Sequence, residues 1–387
     1  MLSDSAERLI GQKMFQILAR AQELEREGRS ILHFEIGDPD FHTPERVVNT
    51  AIDALKSGQT HYINSAGLLE LREKAAEVTF RSRGFAPSID QLLVTPGANF
   101  QIFLALSCLA NQGDEILVPD PGFVSYEAII SYLGLSSQKY PVLEHNNFEI
   151  KSADIAKKIS NKTKAIILNN PGNPTGGVTT EEELRKIYKI AQEAGIYIIT
   201  DEIYARIIYS DEINYFSISS LDQCKERCIL INGLSKSYAM TGWRIGVMTA
   251  PVTLTNKMNL LLETLLSCVP GFIQTAAITA LSLDSTVSMS MVKEYKKRRD
   301  LLVNGLNGIP GFNCKIPSGA FYAFPNVSGT GFSGEELSEI LLEKCGIATV
   351  PGSYFGPNGN NNIRFSYVCD SEAIEEAITR MQKFLKK

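Results

Sequence analysis

The chain has 387 residues, of which 44% are hydrophobic and 21% are charged, and its formal net charge is −5. A globular chain of this length holds two or three domains and buries a core without needing disulfides or metals. The mild acidity argues against a nucleic-acid partner, and the basic run at 293–299 is interpreted as a solvated helix face.

The sequence also argues against membrane, secreted and metal-binding classes. No apolar run reaches the roughly 18 residues of a membrane helix, and the N-terminus lacks a basic region followed by an apolar one. The 7 cysteines form no CxxC pair, and the 4 histidines show no HExxH spacing. We therefore expect a cytoplasmic protein with free thiols, without a metal and without a membrane partner.

In chain order, a helical segment at 11–28 precedes a repeated unit that extends from about residue 91 to residue 250. Each unit is a short apolar run, a loop and a helical pattern, such as the helix at 181–195. Apolar runs of five or six residues are typical of strands buried on both faces of a mostly parallel sheet. The runs lie at 91–95, 115–119, 164–169, 196–200, 228–232 and 244–248.

The last hundred residues differ, because long helical patterns there alternate with short strand patterns. Helices are predicted at 288–307, at 335–345 and at the C-terminus, and strands at 347–351 and 362–368. We predict three parts, with an N-terminal arm and the first part of the small domain at 1–45, a large α/β domain at 46–287 and a small α+β domain at 288–387.

Polar segments follow the predicted strands at the carboxyl edge of the sheet, where ligands bind in open parallel sheets. These segments are PGANFQ, DPGF, NPGNPTGG, DEIY and GLSKSYAMTGWR. Taken singly, Asp201 could be a helix cap, Asn173 a turn residue and Lys236 a surface lysine. Their joint occurrence at one edge predicts a shared site.

Together with GDPDF (37–41), HYINSAGLLELRE (61–73), PSGAFY (317–322) and IRFSY (363–367), these segments resemble the class I pyridoxal-phosphate (PLP) aminotransferases, of the aspartate and aromatic type. The resemblance is almost end to end. It implies the type I PLP-transferase fold, with a mostly parallel sheet between helices in the large domain. It also implies pyridoxal 5'-phosphate as cofactor, and an L-amino acid and a 2-oxo acid as substrates of a ping-pong transamination.

The resemblance assigns the catalytic groups. Lys236 matches the lysine that forms the Schiff base with the cofactor aldehyde and then moves the Cα proton. Asp201 matches the carboxylate that keeps the pyridine nitrogen protonated, so that the ring accepts carbanion charge. Tyr204 and Asn173 match the residues that reach the phenolic oxygen of the cofactor.

Further positions are implied for the cofactor and the substrate. Phe123 matches the aromatic residue that stacks on the pyridine, and Arg364 matches the arginine that binds the substrate α-carboxylate. Gly37 matches a glycine of the substrate pocket, and Tyr62 matches a tyrosine that reaches the phosphate of the neighbouring subunit, which implies a homodimer with shared active sites. The phosphate site is implied at a helix start and two nearby side chains, namely Gly97, Ala98, Asn99, Ser235 and Arg244.

Three alternatives are weighed against transamination. The same fold hosts C–S lyases and other elimination enzymes, so an elimination reaction stays open. A GxGxxG run at 329–334 is typical of dinucleotide binding, but no acidic residue occurs at 346–368, where the ribose ligand should lie. We interpret that run as a glycine loop of the small domain. A transcription regulator would need an upstream DNA-binding domain, and the match begins within the first forty residues.

The sequence constrains the identity of the amino donor less than it constrains the cofactor and the reaction. Asn99 is neutral at the position where some aspartate enzymes have lysine, which weakens an aspartate preference unless Lys13 substitutes. The residues considered for an apolar side-chain pocket are Phe15, Ile17, Phe100 and Tyr322.

Overall fold

The structure is a computed structural model that describes residues 2–209, 215–283 and 286–385. The α-helices are α1 (Asp4–Glu7), α2 (Met14–Arg26), α3 (Glu45–Lys56), α4 (Leu69–Arg83), α5 (Ala98–Leu109), α6 (Val124–Tyr132), α7 (Ser152–Ala156), α8 (Glu181–Ala194), α9 (Val252–Leu266), α10 (Gly271–Ser282), α11 (Thr286–Asn307), α12 (Gly334–Ile340) and α13 (Ser371–Leu385). The strands are β1 (Leu32–His33), β2 (Leu92–Thr95), β3 (Glu115–Asp120), β4 (Ser136–Pro141), β5 (Thr163–Asn169), β6 (Tyr197–Asp201), β7 (Cys228–Ile231), β8 (Gly246–Thr249), β9 (Tyr322–Ala323), β10 (Ile347–Ala348), β11 (Val350–Pro351) and β12 (Ile363–Ser366).

The centre of the fold is a seven-stranded sheet in the order β2-β8-β7-β6-β5-β3-β4. Neighbours from β7 to β4 run parallel, whereas β8 is antiparallel to both β2 and β7. Apolar side chains of the central strands are buried on both faces of the sheet. The predicted α/β class with a mostly parallel sheet is therefore confirmed. The register pairs Asn169 with Asp201, so the polar ends of β5 and β6 lie side by side.

Strand β4 was not predicted. Its sequence, SSQKYP, contains no apolar run, because β4 lies at an edge of the sheet and most of its residues keep partial exposure. The run predicted at 244–248 begins as a strand at Gly246, since Arg244 takes a positive φ of 50° that a strand does not accommodate.

Helix α8 shows how local sequence sets the element boundaries. The Thr180 hydroxyl accepts a hydrogen bond from the Glu183 N–H at 3.4 Å, and three glutamates follow in the first turn. Acidic residues there complement the helix dipole, and such a cap contributes about 1 kcal/mol. The helix ends at Gly195, whose φ of 69° suits glycine.

Strand β1 pairs in parallel with β10, and a three-stranded sheet follows the order β11-β12-β9. A single core joins Phe34, which follows β1, to Phe321 just before β9, to Phe365 in β12 and to Met381 in α13. The segment that contains Phe34 therefore shares its core with elements near the C-terminus. The predicted helix at 335–345 is α12 followed by one π turn at Leu341–Cys345.

The GxGxxG loop is explained by packing. A Cβ on Gly329 would lie 2.8 Å from the Gly311 Cα, and a Cβ on Gly334 would lie 2.2 Å from the Asn362 carbonyl oxygen. Ser333 caps α12 and forms a capping box with Glu336. These close backbone contacts explain why two positions of the GxGxxG loop are glycine, and nucleotide binding is not needed to explain them.

Within the described ranges, no helix combines the length and apolar character needed to cross a bilayer. No group of three or more His, Cys, Asp or Glu side chains converges in the same ranges as a metal would require. The seven cysteines are all free thiols.

Candidate active site

A cavity of about 360 Å³ opens at the carboxyl edge of the sheet, between the ends of β5, β6 and β7 and the segment that follows β1. Both catalytic candidates, Lys236 and Asp201, line it. The other predicted residues that line it are Gly37, Ala98, Asn99, Phe123, Asn173, Tyr204, Ser235, Arg244 and Arg364.

Asp201 is the last residue of β6 and is buried beneath the cavity. Its Oδ2 accepts a hydrogen bond from the Tyr126 hydroxyl at 2.7 Å, and its Oδ1 accepts one from the Ile203 N–H at 3.2 Å. Burial raises the pKa of this carboxyl to about 6, although both hydrogen bonds oppose the shift. The carboxylate is thus poised to pair with a cationic ring nitrogen, which would restore its charged form.

Lys236 lies in the loop after β7, and its Nζ donates a hydrogen bond to the Gly37 carbonyl oxygen at 2.6 Å. Burial lowers the pKa of this amine to about 8, and the positive charges of Arg364 and Arg244 act in the same direction. A lysine with this pKa has a sizeable neutral fraction near pH 8. The neutral amine is the form that attacks an aldehyde or accepts a proton.

The start of α5 has the features of an anion site. Gly97 is its N-cap with a φ of 85°, and a Cβ there would lie 2.6 Å from the Arg244 Nη2. The Arg244 Nη1 donates to the Thr241 carbonyl oxygen at 2.9 Å, and Arg244 itself is exposed at the rim of the cavity. Free N–H groups, a helix dipole and a guanidinium therefore meet where a phosphate is predicted. Gly97 is not among the residues that line the cavity. Its role is the backbone conformation at the start of α5 and the space left by its missing Cβ.

Arg364 lies in β12 and is 1% exposed. Its guanidinium lies 4.7 Å from the ring centre of Tyr322 and 4.9 Å from that of Phe355. Nη1 donates to the Asn173 Oδ1 at 3.2 Å, and Nη2 donates to the Glu35 carbonyl oxygen. Nε is buried and has no hydrogen-bond partner in the described part of the chain, so one donor of this guanidinium is unsatisfied there.

Tyr204 and Gly37 are connected through Tyr322. The hydroxyls of Tyr204 and Tyr322 lie 2.8 Å apart, and a Cβ on Gly37 would lie 2.1 Å from the Tyr322 Oη. Glycine is therefore required at 37 for Tyr322 to hold its place. Asn173 is fixed by its own N–H, which donates to the Asn169 Oδ1 at 2.7 Å.

Phe123 and Tyr62 differ in their placement. The Phe123 ring lines the cavity and contacts Tyr126 edge-on, with ring centres 5.6 Å apart. Tyr62 is 85% exposed and is not among the residues described around this cavity. A tyrosine predicted to reach the neighbouring subunit is not expected to line the cavity of its own chain.

Sequence reasoning missed several residues of this site. Tyr126 holds Asp201, and its position three residues after Phe123 on one helix was the available signal. Glu35 contacts Arg364 through its backbone, for which the sequence has no signal. Gln12 and Asn99 both donate to Ser125, at 2.9 Å and 3.4 Å.

Two residues considered for an apolar pocket do not reach the cavity. Phe100 points away along α5, where its ring centre lies 5.8 Å from that of Phe103. Ile17 lies within α2 and packs against two groups of core residues. Phe15 and Tyr322 do line the cavity.

Comparison with known proteins decides the family. Residues 29–381 match the family described as "Aminotransferase class I and II". The chain belongs to the class I and II aminotransferase family. Members of this family depend on PLP, and the chain is accordingly a PLP-dependent aminotransferase. The elimination reaction that was left open as an alternative is not favoured, because the similar proteins are aminotransferases.

The similar aminotransferases differ in their donors. The chain is 38% identical to an aspartate aminotransferase of Pyrococcus horikoshii, over 97% of this chain and 94% of the relative. It is also 38% identical to aromatic-amino-acid aminotransferase 2 of Thermococcus litoralis, over 100% of this chain and 98% of the relative. An alanine aminotransferase structure from Pyrococcus furiosus superposes with a TM-score of 0.94 at 33% identity, covering 100% of both chains. This similarity confirms the type I fold.

The residues of the cavity fit PLP. A lysine of lowered pKa, a buried carboxylate and a helix N-terminus with an arginine match the aldehyde, the pyridine nitrogen and the phosphate. The space that a Cβ at Gly97 would fill lies beside Arg244, where the phosphate is predicted.

Proposed function

We propose that this aminotransferase transfers an amino group from an L-amino acid to a 2-oxo acid in two half-reactions, with Lys236 as the residue that holds the cofactor and moves the proton. The observation that carries the proposal is the amine of Lys236 in one cavity with Asp201 and Arg364. When bound, PLP supplies an electron sink for the charge that develops at the substrate Cα. We propose that Lys236 Nζ accepts the Cα proton and returns it, which its pKa of about 8 supports.

Each remaining predicted residue takes a holding or orienting role in this proposal. Asp201 holds a protonated ring nitrogen, and Tyr204 and Asn173 orient the ring through its phenolic oxygen. Arg364 binds the α-carboxylate beside Gly37. The ring of Phe123 covers one face of the cofactor. The phosphate is held by Gly97, Ala98, Asn99, Ser235 and Arg244, and by Tyr62 of the second subunit.

Transfer of ¹⁵N tests the proposal. Wild-type enzyme given a ¹⁵N-labelled amino acid and an unlabelled 2-oxo acid should yield a ¹⁵N-labelled second amino acid. Lys236→Ala should lose this transfer by several orders of magnitude while keeping its fold, as measured by circular dichroism. Full transfer in Lys236→Ala would overturn the role of Lys236.

We propose that neutral amino acids are better donors than aspartate. Asn99 is neutral at the rim of the cavity, and Lys13 instead lies over the Tyr354 ring at 4.8 Å from its centre. Among the described lining residues, the cations are Lys236, Arg244 and Arg364, each of which has another role in the proposal. Steady-state rates with aspartate, alanine and phenylalanine test this, and a strong aspartate preference would contradict it.

We propose a cytoplasmic homodimer. Seven free thiols support a reducing compartment, and cell fractionation tests the location.

Exposed apolar side chains on α9, at Leu260, Leu265 and Leu266, support a subunit interface, as does the exposed Tyr62. Light scattering should give twice the mass of 42.6 kDa, and a monomer of full activity would contradict the dimer.

We also propose that the chain divides into an arm and first part of the small domain at 1–45, a large domain at 46–287 and a small domain at 288–387. The pairing of β1 with β10 supports the assignment of the N-terminal segment. Limited proteolysis that releases fragments cut near these boundaries tests the division.

A further inference from the structure

A buried carboxylate lies behind the arginine of the site. Glu35 is 0% exposed, and its backbone carbonyl oxygen accepts a hydrogen bond from the Arg364 Nη2. Its side-chain Oε1 lies 2.8 Å from the His33 Nδ1. Its Oε2 is buried with no hydrogen-bond partner among the described residues. A buried carboxylate with a free oxygen is costly, so its presence calls for a role.

The orientation of Arg364 does not depend on this carboxylate. The guanidinium is held between the rings of Tyr322 and Phe355, and its Nη1 donates to Asn173. The contact with Glu35 uses the backbone carbonyl, which any residue at 35 would supply. What the side chain of Glu35 adds is therefore negative charge.

That charge acts on Arg364. The Glu35 carbonyl oxygen is bonded directly to the Arg364 Nη2, so the fully buried carboxylate of the same residue lies close to the guanidinium. Burial lowers the pKa of Arg364, and Tyr322, Tyr204 and, to a smaller extent, Glu35 oppose this shift. In the low dielectric of a buried site, a charge acts over several ångströms with little screening. The same negative charge also repels a second carboxylate that approaches the guanidinium.

His33 links Glu35 to the surface. Its Nε2 lies 3.1 Å from the Glu25 Oε1 on α2, and its side chain is 37% exposed. The hydrogen bond to Glu35 is the main cause that raises the pKa of His33 to about 9, so the imidazole is cationic at neutral pH. The negative charge of Glu35 therefore interacts with two cationic side chains, His33 and Arg364.

We propose that the side chain of Glu35 places a negative charge behind Arg364, without orienting it, and so weakens the binding of carboxylates to Arg364. A site that binds a carboxylate too tightly holds its product, and binding substrate and transition state equally gives no gain in kcat. The proposal rests on the proposed role of Arg364 as the α-carboxylate ligand. It predicts that removing the charge of Glu35 tightens binding, whereas structural damage would weaken it.

The test uses Glu35→Gln in the PLP-loaded enzyme. Gln keeps the backbone carbonyl and nearly the same volume but removes the charge. The probe is 3-phenylpropionate, a carboxylate without an amine, and its Kd is measured by calorimetry. We expect binding about tenfold tighter than in wild type, which corresponds to about 1.4 kcal/mol. The uncharged 3-phenylpropionamide should bind both proteins equally.

Two further variants separate charge from packing. His33→Gln removes the cation that shares the charge of Glu35, so we expect 3-phenylpropionate to bind about threefold more weakly. Because His33 is partly exposed, this variant also tests the proposal where Glu35→Gln does not fold. In Glu35→Asp the charge is retained, so the Kd should return toward the wild-type value. Under steady state, Glu35→Gln should lower KM for the amino acid and lower kcat where product release is slow.

An unchanged or weaker affinity in folded Glu35→Gln would overturn the proposal, as would an unchanged affinity in His33→Gln. Failure of the proposed role of Arg364 would give a different experimental result. If Arg364→Gln binds 3-phenylpropionate as well as wild type does, the carboxylate ligand is another residue. In that case the proposed role of Glu35 fails as well, because it depends on Arg364 binding the carboxylate.

Discussion

Burial shifts the pKa values of two ionisable groups in the cavity toward 7, one upward and the other downward. The carboxyl of Asp201 is raised to about 6, and the amine of Lys236 is lowered to about 8. Both shifts disfavour the charged form of a buried group. Such shifts cluster at functional sites, and here both belong to residues predicted as catalytic.

Asp201→Asn tests the charge of this carboxyl. The amide keeps the volume and a possible hydrogen bond to Tyr126 but cannot stabilise a protonated ring nitrogen. We expect kcat to fall by about 10²–10³-fold, as removal of a preorganised electrostatic group does. Single-turnover kinetics measures the loss, and the matched control Tyr126→Phe, which keeps the carboxylate, should lose about tenfold or less. Equal losses in both variants would contradict the assignment.

The stability of the fold should depend on pH through His33. Its hydrogen bond to Glu35 raises its folded pKa from 6.5 to about 9, so the folded state binds this proton more tightly than the unfolded state does. The resulting stabilisation is complete below about pH 6.5 and is lost as pH rises through 9.

Thermal unfolding of wild type and His33→Gln measures this effect. The difference in Tm between them should be largest at pH 6 and should shrink by pH 10. The exposed His61 gives a control for replacing an imidazole by an amide, and the Tm change in His61→Gln sets the background for this comparison. A His33→Gln difference that does not change with pH would contradict the account.

At the scale of elements, glycine at the start of α5 is required by both conformation and space. Gly97 has a φ of 85°, and a Cβ there would lie 2.6 Å from the Arg244 Nη2. Gly97→Ala should therefore weaken PLP binding by about 10- to 100-fold, through backbone strain and a displaced guanidinium. Titration of the apoenzyme with PLP measures the affinity.

Gly195, at the end of α8, is the matched control. It also has a positive φ, of 69°, but a Cβ there would meet no described atom within 4 Å. Gly195→Ala should lower the free energy of unfolding by about 1 kcal/mol and leave PLP affinity unchanged. Equal PLP affinities in both variants would contradict an anion site at α5.

What the sequence could predict follows from how each element is buried. Strands β5 and β6 are buried along most of their length and contain apolar runs, and the sheet edge where they end was predictable from parallel topology. Strand β4 has no such run because it lies at the edge of the sheet. The contacts of Glu35 with Arg364 and the turn of Phe100 away from the cavity depend on tertiary packing, which a local pattern does not encode.

At the scale of the whole molecule, the proposed dimer makes a direct prediction from Tyr62. If each active site takes Lys236 from one subunit and Tyr62 from the other, then Lys236→Ala and Tyr62→Ala are each defective alone. A mixed dimer of the two holds one intact site and one doubly defective site.

Mixing the two variants under conditions of subunit exchange should therefore restore activity. The yield should approach one intact site per mixed dimer, and Lys236→Ala mixed with Asp201→Asn is the control that gives no restored site. Absence of restoration, with exchange verified by mass spectrometry, would contradict the shared site.

The visible absorbance of the PLP-loaded enzyme tests the central claim most directly. A band from the cofactor bound to Lys236 should appear in wild type and be absent or shifted in Lys236→Ala. An L-amino acid should convert the band to that of the amino form of the cofactor, and a 2-oxo acid should restore it. A band that persists while ammonia and a 2-oxo acid accumulate would instead show elimination. No band after incubation with PLP would contradict the assignment of Lys236 and Asp201.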